Sequence, residues 1–257
     1  MTLPAIELAL GGVSVTVVPD RGAIATSVNV GGRELLYLDR ESLEDPSRNV
    51  RGGIPLLFPF AGRLKDDVFL PAGTQMKQHG FGRNEAWTVL ERRDDFLSLG
   101  LEGDGSRAAY PYPFRAEHSF RVLPRGLQIE LLVINTGDRD LPLSPGWHPY
   151  FACPAAEKAH VAGSVEGLEG RLSNDVEFDF GVPAPIDGRA RFQVPGLGTL
   201  RLEFSPEMRH LQLWSLPGKD LVCLEPFWGP NDTVNSERRL TLPAGHGRDL
   251  WFRTELE

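Results

Sequence analysis

Hydrophobic and polar residues alternate along much of this 257-residue chain. In VSVTVVPD, Val13, Val15 and Val17 share one face of an extended backbone, while Ser14 and Thr16 lie on the other. This period of two is the signature of a half-buried β-strand. Similar segments recur to the end of the chain, separated by turn signals about every 8–12 residues. The pattern is typical of an all-β sandwich or barrel.

A few local signals complete the predicted layout. Gly31–Gly32 separates two alternating segments and predicts a hairpin turn. Short helical turns are expected only at Arg40–Asp45 and Pro206–His210, and the charged run Glu91–Asp95 indicates a solvated hairpin tip. No linker, repeat or low-complexity segment interrupts the chain, so residues 1–257 are expected to form one domain.

Composition and charge exclude several classes of protein. Glycine (28) and proline (21) are abundant, so long helices are not expected. The net charge is −8 and the basic residues are dispersed, whereas a nucleic-acid groove needs a concentrated positive field. No apolar run approaches the roughly 18 residues of a membrane span, and no basic segment precedes an apolar one at the start. We therefore expect a cytoplasmic protein without a nucleic-acid or membrane partner. The two cysteines, Cys153 and Cys223, form no CxxC pair and are expected to be small core residues.

Four segments break the alternation: Arg51–Leu64, Gln78–Trp87, Ser144–Phe151 and Cys223–Asn235. Each combines glycine or proline with aromatic residues and one or two ionisable groups. Loops of this kind on a β scaffold are where ligand sites usually lie.

Three ionisable residues in these segments are candidates for chemistry. His79 and His148 both lie among aromatic residues beside glycine or proline. Glu225 has only apolar neighbours, and burial would raise its pKa and make it a base near neutral pH. The remaining histidines are expected to be structural, with His118 exposed on a strand; they are His118, His160, His210 and His246.

Two arginines add groups that can bind a ligand. Arg63 and Arg83 lie in the first two special segments, and arginine can form forked hydrogen bonds to hydroxyls, carboxylates or phosphates. A surface salt bridge is the alternative for each.

Together these residue types suit a sugar ligand. Aromatic rings pack against the C–H faces of sugars, and an acid and a base on opposite sides of a hemiacetal would open and reclose it.

The special segments resemble motifs of the aldose 1-epimerase (galactose mutarotase) family. GRL at Gly62–Leu64 is similar to the family's Asn-Arg-Ile step, and QHGF to its His-Gly-Phe. NTGDRDLPLSPGWHPYF leads into the family's His-Pro-Tyr-Phe, and CLEPFWGPNDTVN resembles its Glu-Pro…Pro-Asp-Ala…Asn close. The four motifs follow in the family's order and cover the chain almost end to end. The resemblance implies a large antiparallel β-sandwich, often called a supersandwich.

The resemblance also implies roles for individual residues. Glu225 would be the general base that takes the proton of the anomeric hydroxyl, and His148 the general acid that protonates the ring oxygen. His79 and Arg63 would bind hydroxyls and stabilise developing charge. No metal or organic cofactor is implied. The expected partner is a small-molecule hexose, and the protein is expected to be a monomer or homodimer.

Further substrate contacts are implied less directly. Gln212 resembles a substrate-binding glutamine, and Asp175 or Asp179 would fill the place of a sugar-binding aspartate; Asp175 is our first choice. In a branch of the family that includes sugar-phosphate mutarotases, the arginine matching Arg83 lies near the site. Gly62 departs from the asparagine of the galactose enzymes, which leaves the preferred sugar open.

Other functions remain as alternatives. A hexose-6-phosphate mutarotase could clamp its phosphate with Arg51, Arg63 and Arg83. A non-catalytic carbohydrate-binding protein would use the same aromatic residues.

A metal-dependent enzyme is a third alternative. His79, His148 and Glu225 could together bind a catalytic zinc ion, since two histidines and a glutamate form such sites. The chain has no HxH or HxxE pair among these residues, which weakens this reading.

Overall fold

A computed structural model describes residues 3–165, 168 and 170–257. The prediction of an all-β fold is confirmed. The strands are β1 (Ile6–Leu10), β2 (Val13–Val18), β3 (Ile24–Val30), β4 (Arg33–Glu34), β5 (Leu56–Leu57), β6 (Val68–Phe69), β7 (Thr74–Gln75), β8 (Thr88–Arg92), β9 (Phe96–Asp104), β10 (Pro113–Leu123), β11 (Gly126–Asn135), β12 (Leu141–Leu143), β13 (Gly146–Trp147), β14 (Tyr150–Ala152), β15 (Ala162–Gly163), β16 (Phe178–Pro183), β17 (Arg189–Val194), β18 (Gly198–Phe204), β19 (His210–Ser215), β20 (Leu221–Phe227), β21 (Leu240–Leu242) and β22 (Gly247–Leu256). The helical segments are α1 (Arg40–Glu44) and the 3-10 turns Pro19–Arg21, Lys65–Asp67, Gly82–Asn84, Ala155–His160 and Thr233–Asn235.

Three sheets organise most of the strands. An eight-stranded antiparallel sheet has the order β15-β17-β18-β22-β11-β10-β9-β8, and a six-stranded sheet follows β16-β19-β20-β13-β5 with β14 also paired to β20. The strands β1 to β4 form a third sheet. Trp147 of β13 stacks on Phe252 of β22 at a centroid distance of 6.1 Å, which joins the two large sheets face to face. The architecture is therefore the predicted antiparallel sandwich.

Strand β20 lies in the middle of the six-stranded sheet and is buried on both faces. Val222 and Leu224 point into the main hydrophobic core. Cys223, Glu225 and Phe227 therefore point to the opposite face, because successive side chains of a strand alternate. This places one carboxyl group at the centre of a buried apolar strand.

Most local predictions agree with the structure. The hairpin at Gly31–Gly32 joins β3 to β4, α1 covers the predicted helical turn, and Glu91–Asp95 is an exposed hairpin tip between β8 and β9. The predicted helical turn at Pro206–His210 is wrong. Ser205–Met208 form a single reverse turn, closed by a 2.9 Å hydrogen bond from the Met208 N–H to the Ser205 carbonyl, and His210 already belongs to β19.

The expectation that His118 is exposed is also wrong. His118 is 0% exposed and shares the inward face of β10 with Phe114, Ala116 and Phe120. Its Nε2 accepts a 3.2 Å hydrogen bond from the Trp147 indole N–H. Burial lowers the pKa of His118 to about 3, so the ring is neutral.

Both cysteines are buried and free, as expected for core residues. Among the residues that the structure describes, no helix is long and apolar enough to span a membrane. The formation of one domain by residues 1–257 stays a prediction.

Candidate active site

A polar cleft opens on the side of the six-stranded sheet that faces away from the main core. Six of the predicted site residues line it: Arg63, His79, Arg83, His148, Gln212 and Glu225. Asp175 is exposed and is not among the lining residues, whereas Asp179, the alternative aspartate, is. The sequence motifs therefore converge in space although they lie far apart along the chain.

Glu225 is the buried carboxyl group of the cleft. It lies on β20 and is 1% exposed. Burial, together with the negative charge of Asp179, raises the pKa of Glu225 well above 4.5, while the Arg83 guanidinium acts in the opposite direction. A carboxylate with a raised pKa is a stronger base than an exposed one.

His148 is held in the turn between β13 and β14. Its backbone N–H donates a 3.0 Å hydrogen bond to the Pro55 carbonyl, and its ring stacks on Tyr150 with centroids 4.4 Å apart and planes 7° apart. Pro149 follows it and fixes the local backbone. Burial lowers the pKa of His148 well below 6.5, and the charges of Arg83 and Arg51 lower it further.

Glu225 and His148 form a close pair. His148 Nδ1 lies 3.3 Å from Glu225 Oε2. The alignment does not make a hydrogen bond, and Nδ1 has no hydrogen-bond partner among the described residues. Burial favours a protonated Glu225 beside a neutral imidazole, so the pair holds one exchangeable proton.

His79 is fixed as a neutral hydrogen-bond donor. It has a left-handed backbone with φ of 68°, and its Nδ1 accepts a 3.0 Å hydrogen bond from the Gly62 N–H. Nδ1 therefore carries no proton, so the proton is on Nε2. Nε2 lies 2.9 Å from the Gln78 side-chain nitrogen. Because Nε2 carries the proton, the Gln78 amide is assigned in the reverse orientation, with its oxygen accepting from Nε2–H. Burial and nearby positive charges lower the pKa of His79 well below 6.5, which keeps it neutral.

Three arginines line the cleft without an acidic partner. Arg51, Arg63 and Arg83 all border it, and none forms a salt bridge with the described residues. Arg83 donates one 3.2 Å hydrogen bond to the Gln78 carbonyl, while its Nε is buried without a partner in the described part of the chain. The cleft also holds the carboxyl groups of Glu177, Asp179 and Glu225, but none of them forms an ion pair with these guanidinium groups.

Gln212 is tied into a small polar network on the adjoining strands. Its amide donates a 2.5 Å hydrogen bond to Asp179 Oδ1 on β16, and its carbonyl oxygen lies 2.9 Å from His210 Nε2. Trp214, two residues further on the same face of β19, donates a 2.8 Å hydrogen bond to Glu177. Trp214 and Glu177 are not among the predicted site residues. The strand period from Gln212 is the sequence signal that indicates Trp214.

Gly62 makes room for Asn231. The backbone φ of Gly62 is +83°, and a Cβ there would lie 2.3 Å from Asn231 Oδ1. That oxygen accepts a 2.9 Å hydrogen bond from the Arg63 N–H. The glycine that departs from the galactose enzymes is thus matched by an asparagine from the loop after β20.

The sandwich of antiparallel sheets and the position of the cleft on its central strand define a galactose mutarotase-like fold. The sequence model of the family described as aldose 1-epimerase matches residues 4–246. The chain belongs to the aldose 1-epimerase family.

Comparisons with individual proteins agree with this assignment. The crystal structure of the Slr1438 protein from Synechocystis sp. PCC 6803 has 32% sequence identity and a TM-score of 0.91, covering 100% of this chain and 96% of that one. The uncharacterized protein YphB of Escherichia coli is 27% identical over 212 residues, which are 66% of this chain and 71% of YphB. A Cenchrus ciliaris protein named "Putative glucose-6-phosphate 1-epimerase" is 32% identical over 163 residues, which are 58% of this chain and 45% of that protein.

Proposed function

We propose that the protein interconverts the α and β anomers of a hexose, with Glu225 as general base and His148 as general acid. The observation that carries the proposal is the buried pair with Nδ1 and Oε2 3.3 Å apart at the floor of a polar cleft. The family assignment supports an isomerase of this kind. A positioned acid or base typically contributes about 10²–10⁴ in rate.

The proposed reaction begins with the carboxylate form of Glu225 and the imidazolium form of His148. Glu225 takes the proton of the anomeric hydroxyl, His148 gives its proton to the ring oxygen, and the bond between C1 and the ring oxygen breaks. The open-chain aldehyde rotates about C1–C2. Reclosure on the other face of C1 reverses both proton transfers and yields the other anomer.

Other groups of the cleft would bind the sugar. The His79 ring lies 5.6 Å from that of His148, and its Nε2–H would donate to a sugar oxygen once that oxygen takes the place of the Gln78 side-chain amide. Gln212 and Asp179 offer a donor and an acceptor for hydroxyls, and the Trp214 ring offers an apolar face for C–H groups.

Polarimetry tests the proposal directly. Fresh α-D-galactose or α-D-glucose should relax to the anomeric equilibrium faster with the protein than without it, and Glu225→Gln should abolish the increase. No increase with any hexose, free or phosphorylated, would refute the epimerase. Sugar binding that persists in that case would support a carbohydrate-binding protein instead.

A hexose 6-phosphate is the second candidate substrate. The three unpaired guanidinium groups of Arg51, Arg63 and Arg83 favour an anionic substrate, because arginine binds phosphate oxygens through paired hydrogen bonds. The name of the Cenchrus ciliaris relative points the same way.

This second candidate is tested by comparing glucose with glucose 6-phosphate. If the phosphate is bound, kcat/KM should be higher for the phosphorylated sugar, and Arg63→Ala should lower that value roughly 10- to 100-fold, the effect of one hydrogen bond to a charged group. Arg189→Ala, which removes an exposed arginine paired with Glu203, is the matched control. Equal effects of Arg63→Ala on both sugars would exclude a phosphate contact at this residue. The cytoplasmic location and the monomeric or homodimeric state stay predictions.

A further inference from the structure

A cysteine lies beside the acid–base pair and has no part in the proposed reaction. Cys223 comes two residues before Glu225 on β20, so both side chains point to the same face of the strand. Cys223 is 0% exposed and free. One ligand atom from each of His148, Cys223 and Glu225 lies within 4.8 Å of the other two.

The spacing of the pair suits a small tetrahedral cation. Zinc binds imidazole nitrogen and carboxylate oxygen at about 2.0–2.2 Å, which places two such ligands roughly 3.3–3.5 Å apart in a tetrahedral site. His148 Nδ1 and Glu225 Oε2 are 3.3 Å apart. The Cys223 sulfur lies within 4.8 Å of a ligand atom of each of the other two residues, and a shift of the thiol towards the pair would complete a zinc–sulfur bond of about 2.3 Å.

His148 supplies an independent sign of a missing partner. Its side chain is buried, with 7% of the residue exposed, and Nδ1 has no hydrogen-bond partner among the described residues. A buried polar atom without a partner is uncommon and points to an unseen ligand. Nδ1 is directed at Glu225, on the side of the ring where a cation would lie.

We propose that His148, Cys223 and Glu225 bind a zinc ion, and that the ion blocks the sugar site. This inference goes beyond the proposed function and concerns inhibition rather than turnover. A thiolate ligand favours zinc over magnesium or calcium, which prefer oxygen ligands. The thiol and the carboxyl group release their protons to solvent on binding, so two negative charges balance the ion. His148 and Glu225 line the cleft, so the ion would be reached from the cleft.

The consequence follows from the place of the ion. Zinc between the acid and the base occupies both catalytic groups and removes the exchangeable proton of the pair. Sugar turnover therefore stops while the metal is bound, and a chelator restores it.

Cobalt(II) spectroscopy tests the site without any assay of turnover. Added to the metal-free protein, Co²⁺ should give the near-ultraviolet charge-transfer absorption of a cobalt–thiolate bond, and an equivalent of Zn²⁺ should remove it. Cys223→Ser should lack the band and bind zinc at least about tenfold more weakly by calorimetry. Cys153→Ser, at the other buried free cysteine, is the matched control and should behave like the wild type.

The outcomes separate this proposal from the epimerase assignment. A thiolate band that survives in Cys223→Ser, or no band in the wild type, overturns the zinc site whatever the protein does with sugars. If Cys223→Ser does not fold, the spectrum of Cys153→Ser decides, because a thiolate band in that variant must come from Cys223 and its absence overturns the site. When the hexose relaxation is catalysed, Zn²⁺ should inhibit the wild type and Cys153→Ser at concentrations that leave Cys223→Ser active; equal inhibition of all three overturns the proposal.

Discussion

Replacing Glu225 by glutamine should make the protein less active and more stable at the same time. Glutamine has the shape of glutamate and fits the same buried space on β20, but it cannot take a proton. Activity should fall by about 10²–10⁴, the usual contribution of a general base. Stability should rise because the variant no longer has to keep an ionisable carboxyl group in an apolar interior.

The gain in stability depends on pH in a defined direction. Burial raises the pKa of the folded carboxyl group well above 4.5, so its contribution is complete below pH 4.5 and is lost as the pH rises towards the folded pKa. Above about pH 5 the unfolded wild type releases this proton while the folded pair keeps it. The difference in the free energy of unfolding, Glu225→Gln minus wild type, should therefore increase by about 1.4 kcal/mol for each unit that the pH rises. The gain stops at the pH where the folded pair releases its proton.

The sign of this pH dependence does not depend on whether Glu225 or His148 holds the proton of the pair. A protonated Glu225 with a neutral His148 and an ionised Glu225 with a charged His148 both carry one proton. In Glu225→Gln the buried His148 is neutral, because its pKa is lowered well below 6.5. The folded wild type thus binds one proton more than the folded variant in either case.

Urea unfolding at four or five pH values measures this slope, with polarimetry on the same samples. Glu237→Gln, at an exposed position, is the control for the loss of one negative charge. A stability difference that stays flat between about pH 5 and pH 8 would refute the reasoning, since the folded pair would then hold no exchangeable proton in that range. A stability difference that increases with pH, without a loss of activity in Glu225→Gln, would show that Glu225 is buried with its proton but is not the general base.

Three further predictions rest on other parts of the cleft. His148→Asn should keep the fold, by circular dichroism, and lose about 10²–10⁴ in turnover; near-normal turnover would exclude it as the acid. Gly62→Ala should lower the free energy of unfolding by more than about 1–2 kcal/mol, the cost of a left-handed backbone for alanine, because its Cβ would also lie 2.3 Å from the Asn231 side-chain oxygen. Gly11→Ala is the control measured by urea unfolding; its Cβ would have nothing within 4 Å, so it should lose only the cost of the left-handed backbone. Asp179→Asn should raise KM for the sugar while Asp175→Asn leaves it unchanged; the reverse result would restore Asp175 as the sugar contact.

The fold was predictable because strand periodicity is local. Alternation and turn residues are properties of short segments, and they indicated the all-β class and the hairpin at Gly31–Gly32 directly. His118 shows how the same pattern can be misread. Its sequence neighbours are polar, but its companions on one face are Phe114, Ala116 and Phe120, and all of them are buried. The face of a strand, not the adjacent residue, indicates whether a side chain is exposed.

The site was predictable only as far as motifs named its residues. The segments around His79, His148 and Glu225 were recognisable in the sequence because they combine aromatic and ionisable residues. The choice between Asp175 and Asp179 needed the register of β16 against β19, which pairs Asp179 with Trp214 and brings it beside Gln212. The close contact of Asn231 with Gly62, which has no side chain, joins loops that lie far apart along the chain. No local sequence pattern indicates this contact.

The two pKa shifts of the catalytic pair have opposite signs and the same chemical effect. A raised pKa makes the Glu225 carboxylate a stronger base, and a lowered pKa makes the His148 imidazolium a stronger acid. Burial therefore drives both proton transfers of the proposed ring opening, and the open-chain intermediate faces the neutral pair that the interior favours. The cost is that the charged starting form is less populated. The Arg83 guanidinium acts on this form in both directions, because it favours the Glu225 carboxylate and disfavours the His148 imidazolium. In each half of the cycle Glu225 and His148 exchange one proton taken for one given, so the pair keeps one proton throughout and needs none from solvent.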